Sequence, residues 1–162
     1  MAAATHNAGD GVELTLRPLT TDDLEDVVSL DQMLSGDVRY GFFEKRLAAA
    51  LRRPKKFVYI AACHGEKLVG FLITRLVGGD FGGDESVAVL DAIGVEPKAQ
   101  GHGVAQALLH HLEDILRHKH VNELQTQTDW TNHGLIKFLD AAGFQRAPRL
   151  VLSRDASTPL NL

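Results

Sequence analysis

The amino-acid sequence predicts an α/β (α+β) fold with one sheet and about four helices. Short stretches that alternate apolar and polar residues, or that are apolar throughout, predict strands. Longer stretches between them place apolar residues three and four positions apart, which is the spacing of an amphipathic helix. A tight turn joins two of the strands directly and predicts a β-hairpin. The resulting order of elements is β-α-α-β-β-β-α-β-α-β.

Length and composition limit the class of protein. A chain of 162 residues with one cysteine can bury a core without an internal disulfide. A formal net charge of −4 without a basic block argues against nucleic acid as a direct partner. No apolar run is long enough to span a membrane, and residues 1–11 lack the apolar centre of a signal peptide. We therefore expect a cytoplasmic protein without a membrane partner.

We expect neither an internal repeat nor a second domain. We expect a disordered N-terminal segment at residues 1–11, a single domain over residues 12–154 and a polar tail at residues 155–162.

The first half of the chain begins with a strand at residues 12–16, which Pro18 is expected to end. A helix follows to about Leu34, with acidic residues in its first turn that suit the helix dipole. A second helix is predicted over residues 42–52, and Tyr40 lies in the loop before it.

The middle of the chain supplies three strands. Residues 57–63 and 67–77 form the predicted hairpin, with Gly65 in its turn. A glycine-rich connector over residues 78–84 leads to an apolar central strand at residues 87–95.

The last third begins with an amphipathic helix at residues 103–118 and a strand at residues 122–128. Asn132 is expected to cap a helix over residues 133–142. A final strand is predicted at residues 149–153.

The loop after the central strand is the most informative stretch for function. Gly101 and Gly103 can take positive φ and let the backbone approach a ligand, and they open onto a helix N-terminus that suits phosphate. A P-loop would continue Gly-Lys-Ser/Thr, whereas here Val104 and Ala105 follow Gly103. A dinucleotide fingerprint would have its third glycine where Gln106 stands. Both of these assignments are therefore disfavoured.

This loop resembles the pyrophosphate-binding motif of the GNAT acyltransferases, Gln/Arg-x-x-Gly-x-Gly/Ala, through Gln100, Gly103 and Ala105. A second segment resembles the family's Asn-x-x-Ala-x-x-Phe-Tyr-x-x-x-Gly-Phe pattern. Its matching residues are Asn132, Leu135, Ile136, Phe138, Gly143 and Phe144. The two motifs occur in the family's order, and the similarity extends over residues 12–154.

The resemblance implies a GNAT fold, with a mixed, mostly antiparallel sheet of six to seven strands that is splayed beside the central strand. It also implies acetyl-CoA as cofactor, with the pantetheine arm paired to the backbone of Ile93 and Val95 and the pyrophosphate on the N–H groups of the glycine loop. The implied cofactor-binding residues are Ile93, Gly94, Val95, Gln100, Gly101, His102, Gly103, Val104, Ala105, Gln106, Asn132 and Phe138.

The implied reaction is transfer of an acetyl group from acetyl-CoA to a primary amine by direct attack in a ternary complex. The acceptor would be an amine-bearing small molecule, or a lysine or N-terminus of a peptide or protein. A binding module of the same fold without turnover is the alternative, and transfer of another acyl group would need a wider pocket near Ile93. The oligomeric state is left open, with a homodimer as one option.

The amine must lose a proton before it attacks, because a lysine-like amine titrates near pH ~10.4. Asp91 lies four residues before Val95, where some members of the family carry the base. The alternative is a structural carboxylate that a neighbouring basic or backbone group satisfies. Glu85 and Glu96 are weaker candidates.

The position of the general acid departs from the family pattern, because Leu139 stands where many members carry a tyrosine that protonates the leaving thiolate. A thiol with a pKa of ~8.5 can leave as thiolate near neutral pH without a dedicated acid. Tyr40 is a possible substitute donor, and an exposed tyrosine without a catalytic role is the alternative.

One helix face carries potential metal ligands. His110, Asp114 and His118 recur at four-residue spacing, which permits weak metal binding. A solvated polar face is the preferred interpretation, and no metal is predicted.

Overall fold

The computed structural model describes residues 4–8, 12–78, 86–148, 151–155 and 157. None of the helices in these ranges is long and apolar enough to cross a membrane. The strands are β1 (Ala4–Ala8), β2 (Val12–Pro18), β3 (Phe57–His64), β4 (Lys67–Val77), β5 (Val87–Val95) and β6 (Glu123–Thr126). The α-helices are α1 (Leu24–Ser35), α2 (Tyr40–Arg52), α3 (Val104–His118) and α4 (His133–Ala141).

The strands form one sheet in the order β1-β2-β3-β4-β5-β6. All neighbouring pairs are antiparallel except β5 and β6, which are parallel because α3 connects them. The predicted α/β class with a mixed, mostly antiparallel sheet is therefore confirmed.

The chain divides into two compact units, residues 1–127 and residues 128–162. The first unit contains the whole sheet with α1, α2 and α3, and the second contains α4. The extent of the single domain predicted over residues 12–154 stays a prediction.

The two faces of the sheet are covered by different helices. On one face, Phe71 of β4 packs in a cluster with Val27 of α1 and with Phe43 and Leu47 of α2, and the rings of Phe43 and Phe71 meet edge to face at 5.6 Å. Successive residues of a strand face opposite sides of a sheet, so the neighbour of Phe71 faces the other layer. That neighbour is Gly70, where an added Cβ would lie 3.1 Å from Cγ1 of Val104 in α3.

The boundaries of the central elements agree with the sequence prediction. Strand β5 covers the predicted residues 87–95, and α3 begins one residue later than expected. The predicted hairpin is present as β3 and β4, with Gly65 at a φ of 59° in the turn. The connector predicted over residues 78–84 lies outside the described residues beyond Gly78.

Three predictions at the edges of the fold are wrong. Residues 4–8 form strand β1 where disorder was expected, because pairing with β2 uses main-chain groups and needs no apolar side chains. Strand β2 also runs to Pro18 itself, which pairs with Ile60 of β3 beyond the last pair with β1, where β2 is locally an edge and tolerates a proline. Tyr40 is the first residue of α2 and does not lie in a loop.

The two strands predicted late in the chain are not found at full length among the described residues. Strand β6 covers only Glu123–Thr126 of the expected residues 122–128. Residues 151–153 adopt no regular secondary structure where a final strand was predicted, and residues 149–150 of that strand lie outside the described residues. Of the expected tail, only residues 155 and 157 are described.

The site depends on where the pairing of β5 ends. Leu90 pairs with Thr126 in the last registered pair between β5 and β6, and the Thr126 hydroxyl donates to the Leu90 carbonyl at 3.0 Å. Strand β5 nevertheless continues to Val95 beside β4. Residues 91–95 therefore have no strand partner on the β6 side within the described parts of the chain, and this forms the predicted splay.

Candidate functional site

The free edge of β5 presents main-chain groups at alternate residues. The Glu96 N–H donates to the Val69 carbonyl of β4 at 2.8 Å, so residue 96 faces β4. Because alternate residues of a strand direct their N–H and C=O groups to opposite edges, those of Ile93 and Val95 point away from β4. The two residues predicted to pair with the pantetheine arm thus lie at the open edge.

A side chain from the loop after β5 reaches back to this edge. The Gln100 Nε2 donates to the Val95 carbonyl at 3.0 Å. The Gln100 N–H donates to the Glu96 carbonyl at 3.1 Å, within a 3₁₀ turn that begins at Pro97. Gln100 therefore fixes the position of the loop relative to the end of the strand.

The glycines of the loop have backbone conformations that other residues rarely adopt. The φ of Gly101 is 79° and that of Gly103 is 81°, both in the left-handed region. An ideal Cβ on Gly101 would meet nothing within 4 Å, and one on Gly103 would meet only Oε1 of Gln106, at 3.6 Å. The glycines are thus required by backbone conformation and leave open space beside the loop.

Helix α3 begins at this loop without a side-chain cap. Gly103 is the N-cap residue and has no side chain to bond the helix, while its carbonyl accepts from the Ala107 N–H at 2.9 Å. The N–H groups of Val104, Ala105 and Gln106 have no acceptor inside the helix, as in the first turn of any α-helix. Their alignment with the dipole of a 15-residue helix makes this end attractive to an anion.

His102 lies between the two glycines. Its side chain is exposed, and Nδ1 lies 2.9 Å from the Gln100 carbonyl oxygen. This contact holds the imidazole beside the loop backbone, close to the helix N-terminus.

Gly94 leaves room for two side chains on the face of the sheet that α1 covers. An ideal Cβ on Gly94 would lie 2.7 Å from Cε1 of Phe71 and 3.0 Å from Cδ1 of Leu34. Only glycine lets both side chains pack against the backbone of β5 here. A contact of Gly94 with the cofactor stays a prediction.

Asp91 lies where β5 bulges and where the free edge begins. In β5, Leu90 pairs with Thr74 and Ala92 with Ile73, so Asp91 is the unpaired residue of the bulge. Arg75 Nε donates to both carboxylate oxygens, at 3.0 and 3.2 Å, and Arg46 Nη1 lies 3.2 Å from Oδ2.

The environment of Asp91 agrees with the alternative in which basic neighbours satisfy a structural carboxylate. Its side chain is 8% exposed, whereas those of Arg46 and Arg75 are 30% and 39% exposed. Neither arginine is predictable as a partner from the sequence, because one is on α2, the other is on β4, and no spacing or motif connects them to Asp91.

Two aromatic side chains support Arg46. The Phe42 ring lies beneath its guanidinium, with 5.1 Å from Cζ to the ring centroid. The Tyr59 hydroxyl donates to the Arg46 carbonyl at 3.1 Å, and burial raises the pKa of Tyr59 to about 12. Arg46 is therefore held at both its backbone and its side chain.

The other acid–base candidates are less well placed or not described. Glu96 forms an ion pair with Lys67, with Nζ 2.5 Å from Oε1, and Glu85 lies outside the described residues. Tyr40 is 39% exposed at the start of α2, and desolvation followed by the charge of Glu25 raises the pKa of its hydroxyl.

The second unit contains the residues of the downstream motif. The Asn132 Oδ1 accepts from the Leu135 N–H at 3.2 Å, which confirms Asn132 as the cap of α4. Phe138 is half-buried, and Leu139 is buried with 6% exposure. Roles of Asn132 and Phe138 in cofactor binding stay predictions.

The histidine-containing face of α3 has local partners. His110 Nδ1 lies 3.8 Å from Oε2 of Glu113, and Arg117 donates to Asp114 at 2.7 Å. His118 Nδ1 lies 2.6 Å from the Asp114 carbonyl oxygen. In the described part of the chain, no three potential ligands come together to hold a metal ion.

Comparison with known proteins identifies the family. The sequence matches the model of the Acetyltransferase (GNAT) family over residues 22–144, about three quarters of the chain. No curated protein sequence matches the chain.

Several solved structures share the fold. The aminoglycoside N-acetyltransferase AAC(6')-Iy in complex with CoA is 19% identical, with a TM-score of 0.74 over 94% of this chain and 97% of that chain. The same enzyme with the bisubstrate analogue CoA-S-monomethyl-acetylneamine is 21% identical, with a TM-score of 0.73 over 88% and 97%. The acetyltransferase meta-AAC0020 from an uncultured soil metagenomic sample, in complex with sisomicin, is 16% identical, with a TM-score of 0.70 over 88% and 95%.

The protein belongs to the Acetyltransferase (GNAT) family. The predictions of a GNAT fold and of an acetyltransferase that uses acetyl-CoA are thereby confirmed. The free edge of β5, the left-handed glycines and the uncapped start of α3 fit this cofactor, because they offer hydrogen-bonding groups to an extended arm and N–H donors to a pyrophosphate.

Proposed function

We propose that the protein transfers the acetyl group of acetyl-CoA to a primary amine of a small molecule, by direct attack of the amine in a ternary complex. The observation that carries this proposal is the continuity of the free edge of β5 with the uncapped start of α3. One extended ligand with an anionic end would use both features.

Different backbone groups would hold different parts of the cofactor. The N–H groups from Gln100 to Gln106 would hold the pyrophosphate, and Ile93 and Val95 would pair with the arm. The arm then runs from the loop back along β5 toward Asp91. Acetyl-CoA supplies the activated thioester, and its acetyl end would lie beside the Asp91 bulge.

The proposed proton acceptor is Asp91, acting directly or through one water. In the reaction the nitrogen forms a bond to the acetyl carbon, the carbon–sulfur bond breaks, and the amine proton passes to the carboxylate. Arg75 and Arg46 keep this carboxylate in place beside the free edge. The exposed 8% of the side chain is the part that an amine or a water would reach.

The leaving thiolate does not require a dedicated acid in this proposal. Leu139 has no proton to donate, and a thiol pKa of ~8.5 makes release of thiolate near neutral pH cost only about 2 kcal/mol. Tyr40 as a proton donor stays a prediction, and the exposure of its side chain offers no specific support for it.

Proteins of the same fold support a small-molecule acceptor. The solved structure of AAC(6')-Iy contains the bisubstrate analogue CoA-S-monomethyl-acetylneamine, and that of meta-AAC0020 contains sisomicin. A peptide or protein acceptor, a homodimer and a cytoplasmic location stay predictions.

The test follows the release of coenzyme A thiol from acetyl-CoA with panels of amino acids, simple amines, polyamines and aminoglycosides. We expect amine-dependent release with at least one acceptor, and mass spectrometry should find an acetamide product. A thermal shift with coenzyme A is measured in parallel, since a ligand of the native state raises the melting temperature.

The paired measurements test the acceptor class and the cofactor site separately. Binding of coenzyme A without turnover on any panel would contradict an acceptor of these amine classes. Absence of a thermal shift at millimolar coenzyme A, with the protein folded, would contradict the assigned cofactor site.

A further inference from the structure

The Asp91 cluster has one more positive than negative charge. It combines Arg46 from α2, Arg75 from β4 and Asp91 from β5, and both guanidiniums lie within 3.2 Å of the same carboxylate. A third arginine, Arg39, lies over the same Phe42 ring at 5.5 Å, but it pairs with Asp31 and adds no net charge.

The positive charge is on the accessible side of this cluster. The arginine side chains are 30% and 39% exposed, and the carboxylate is 8% exposed. Asp91 engages Nε of Arg75 and Nη1 of Arg46. Each guanidinium has five N–H donors in a planar arrangement. The donors that do not bind Asp91 are those that a second carboxylate would bind.

The cluster also lies at the reacting end of the proposed cofactor site. The pyrophosphate loop follows Val95, whereas Asp91 begins the free edge at its other end. An acceptor amine that attacks an acetyl group at this end has Arg46 and Arg75 beside it.

Resting on the proposed function, we infer that the acceptor is an amine that carries a carboxylate close to its nitrogen, as an amino acid does. The acceptor carboxylate binds the forks of Arg46 and Arg75, and its ammonium group faces Asp91. A polycationic acceptor would instead bring further positive charge toward two half-buried arginines. This acceptor class therefore differs from the aminoglycosides bound to structures of the same fold.

The test compares acceptors that differ only at the carboxylate. Each standard L-amino acid is assayed beside its amide and its decarboxylated amine, with acetyl-CoA and the full chain, and spermine and sisomicin represent polycations. Hydrogen bonds to charged groups predict that kcat/KM for the best amino acid exceeds that of its amide by about 10- to 100-fold.

Variants of Arg75 test whether the cluster is the source of this preference. Arg75→Gln should reduce kcat/KM for the amino acid by about 10- to 100-fold and bring the ratio to its amide close to one. Arg75→Lys keeps the charge but loses the planar guanidinium. It should retain part of the preference in kcat/KM for the amino acid over its amide. Arg117→Gln removes an arginine that pairs with Asp114 on α3 and is the matched control, with an unchanged ratio.

Melting temperatures and coenzyme A affinity are measured for every variant. If Arg75→Gln does not fold, Arg75→Lys and the acceptor series still decide the inference. Equal or better use of amides, decarboxylated amines or polycations would overturn the inference while leaving amine acetylation intact. If none of the tested amines is acetylated, the proposed function is overturned as well.

Discussion

Gly94 of β5 and Phe71 of β4 are so close that a Cβ on Gly94 would lie 2.7 Å from Cε1 of the Phe71 ring. The two residues are direct partners in the antiparallel ladder, and Phe71 is 1% exposed in the core between the sheet and α2. The absence of a side chain at Gly94 thus lets a core aromatic ring lie against the strand that forms the cofactor edge.

Gly94→Ala should destabilise the protein by about 1–3 kcal/mol, because a well-packed core cannot absorb an added methyl group without strain. The measurement is the free energy of unfolding from denaturant titration. Gly41→Ala is the matched control, since an added Cβ in α2 meets nothing within 4 Å and alanine is the better helix former. Equal stability of the two variants would show that Phe71 can move aside without cost.

The sequence predicts the centre of this fold more accurately than its edges, for a physical reason. The apolar run of β5 and the amphipathic pattern of α3 are local signals, and both elements formed where the pattern placed them. Strand β1 has no such signal, because it depends on main-chain pairing with β2. The strand predicted near residue 151 has an apolar pattern, but residues 151–153 adopt no regular structure.

The same distinction between local and distant signals applies to the candidate site. Gly101 and Gly103 were recognisable from sequence because a left-handed turn before a helix requires particular residues in order. The partners of Asp91 were not recognisable, since Arg75 is 16 residues away on β4 and Arg46 is on α2. Ion pairs between distant elements arise only when the sheet and helices pack, and they leave no local pattern.

The glycine loop provides a test of the pyrophosphate site. Gly103→Glu places a negative charge at the start of α3, where the anion is expected, and should weaken coenzyme A binding by at least about 10-fold through like-charge repulsion. Isothermal titration calorimetry measures the affinity. Gly103→Ala is the matched control, because it carries the same strain at a φ of 81° without the charge. If both variants bind coenzyme A like the parent protein, the loop does not hold the pyrophosphate.

The raised pKa of the Tyr59 hydroxyl predicts a loss of stability at alkaline pH. Burial raises its pKa in the folded protein to about 12, above the ordinary value of ~10. The resulting stabilisation is complete below pH ~10 and is lost as the pH rises through ~12, because the unfolded protein then ionises first. Denaturant titrations from pH ~9 to ~11.5 should show that the stability advantage over Tyr59→Phe falls by about 2 kcal/mol. A constant difference across this range would show that the hydroxyl titrates normally.

Asp91→Asn separates a proton acceptor from a purely structural carboxylate. The amide keeps the size of the side chain but removes the base, so turnover near neutral pH should fall by about 10²- to 10⁴-fold. The loss should diminish as the pH approaches the pKa of the acceptor amine, because more of the amine is then already deprotonated. Coenzyme A affinity should stay within about 2-fold, well inside 1 kcal/mol, since backbone groups make the proposed cofactor contacts.

The same substitution also breaks ion pairs, and a second carboxylate in the chain controls for that effect. Asp23 is likewise 8% exposed and pairs with Arg17, which is 34% exposed, at 2.7 Å. Asp23→Asn should therefore lower the melting temperature comparably while leaving turnover of the folded protein unchanged. A selective loss of turnover in Asp91→Asn then assigns the proton transfer to this residue. Equal turnover in the two variants would exclude Asp91 as the base and leave it as the anchor of Arg46 and Arg75.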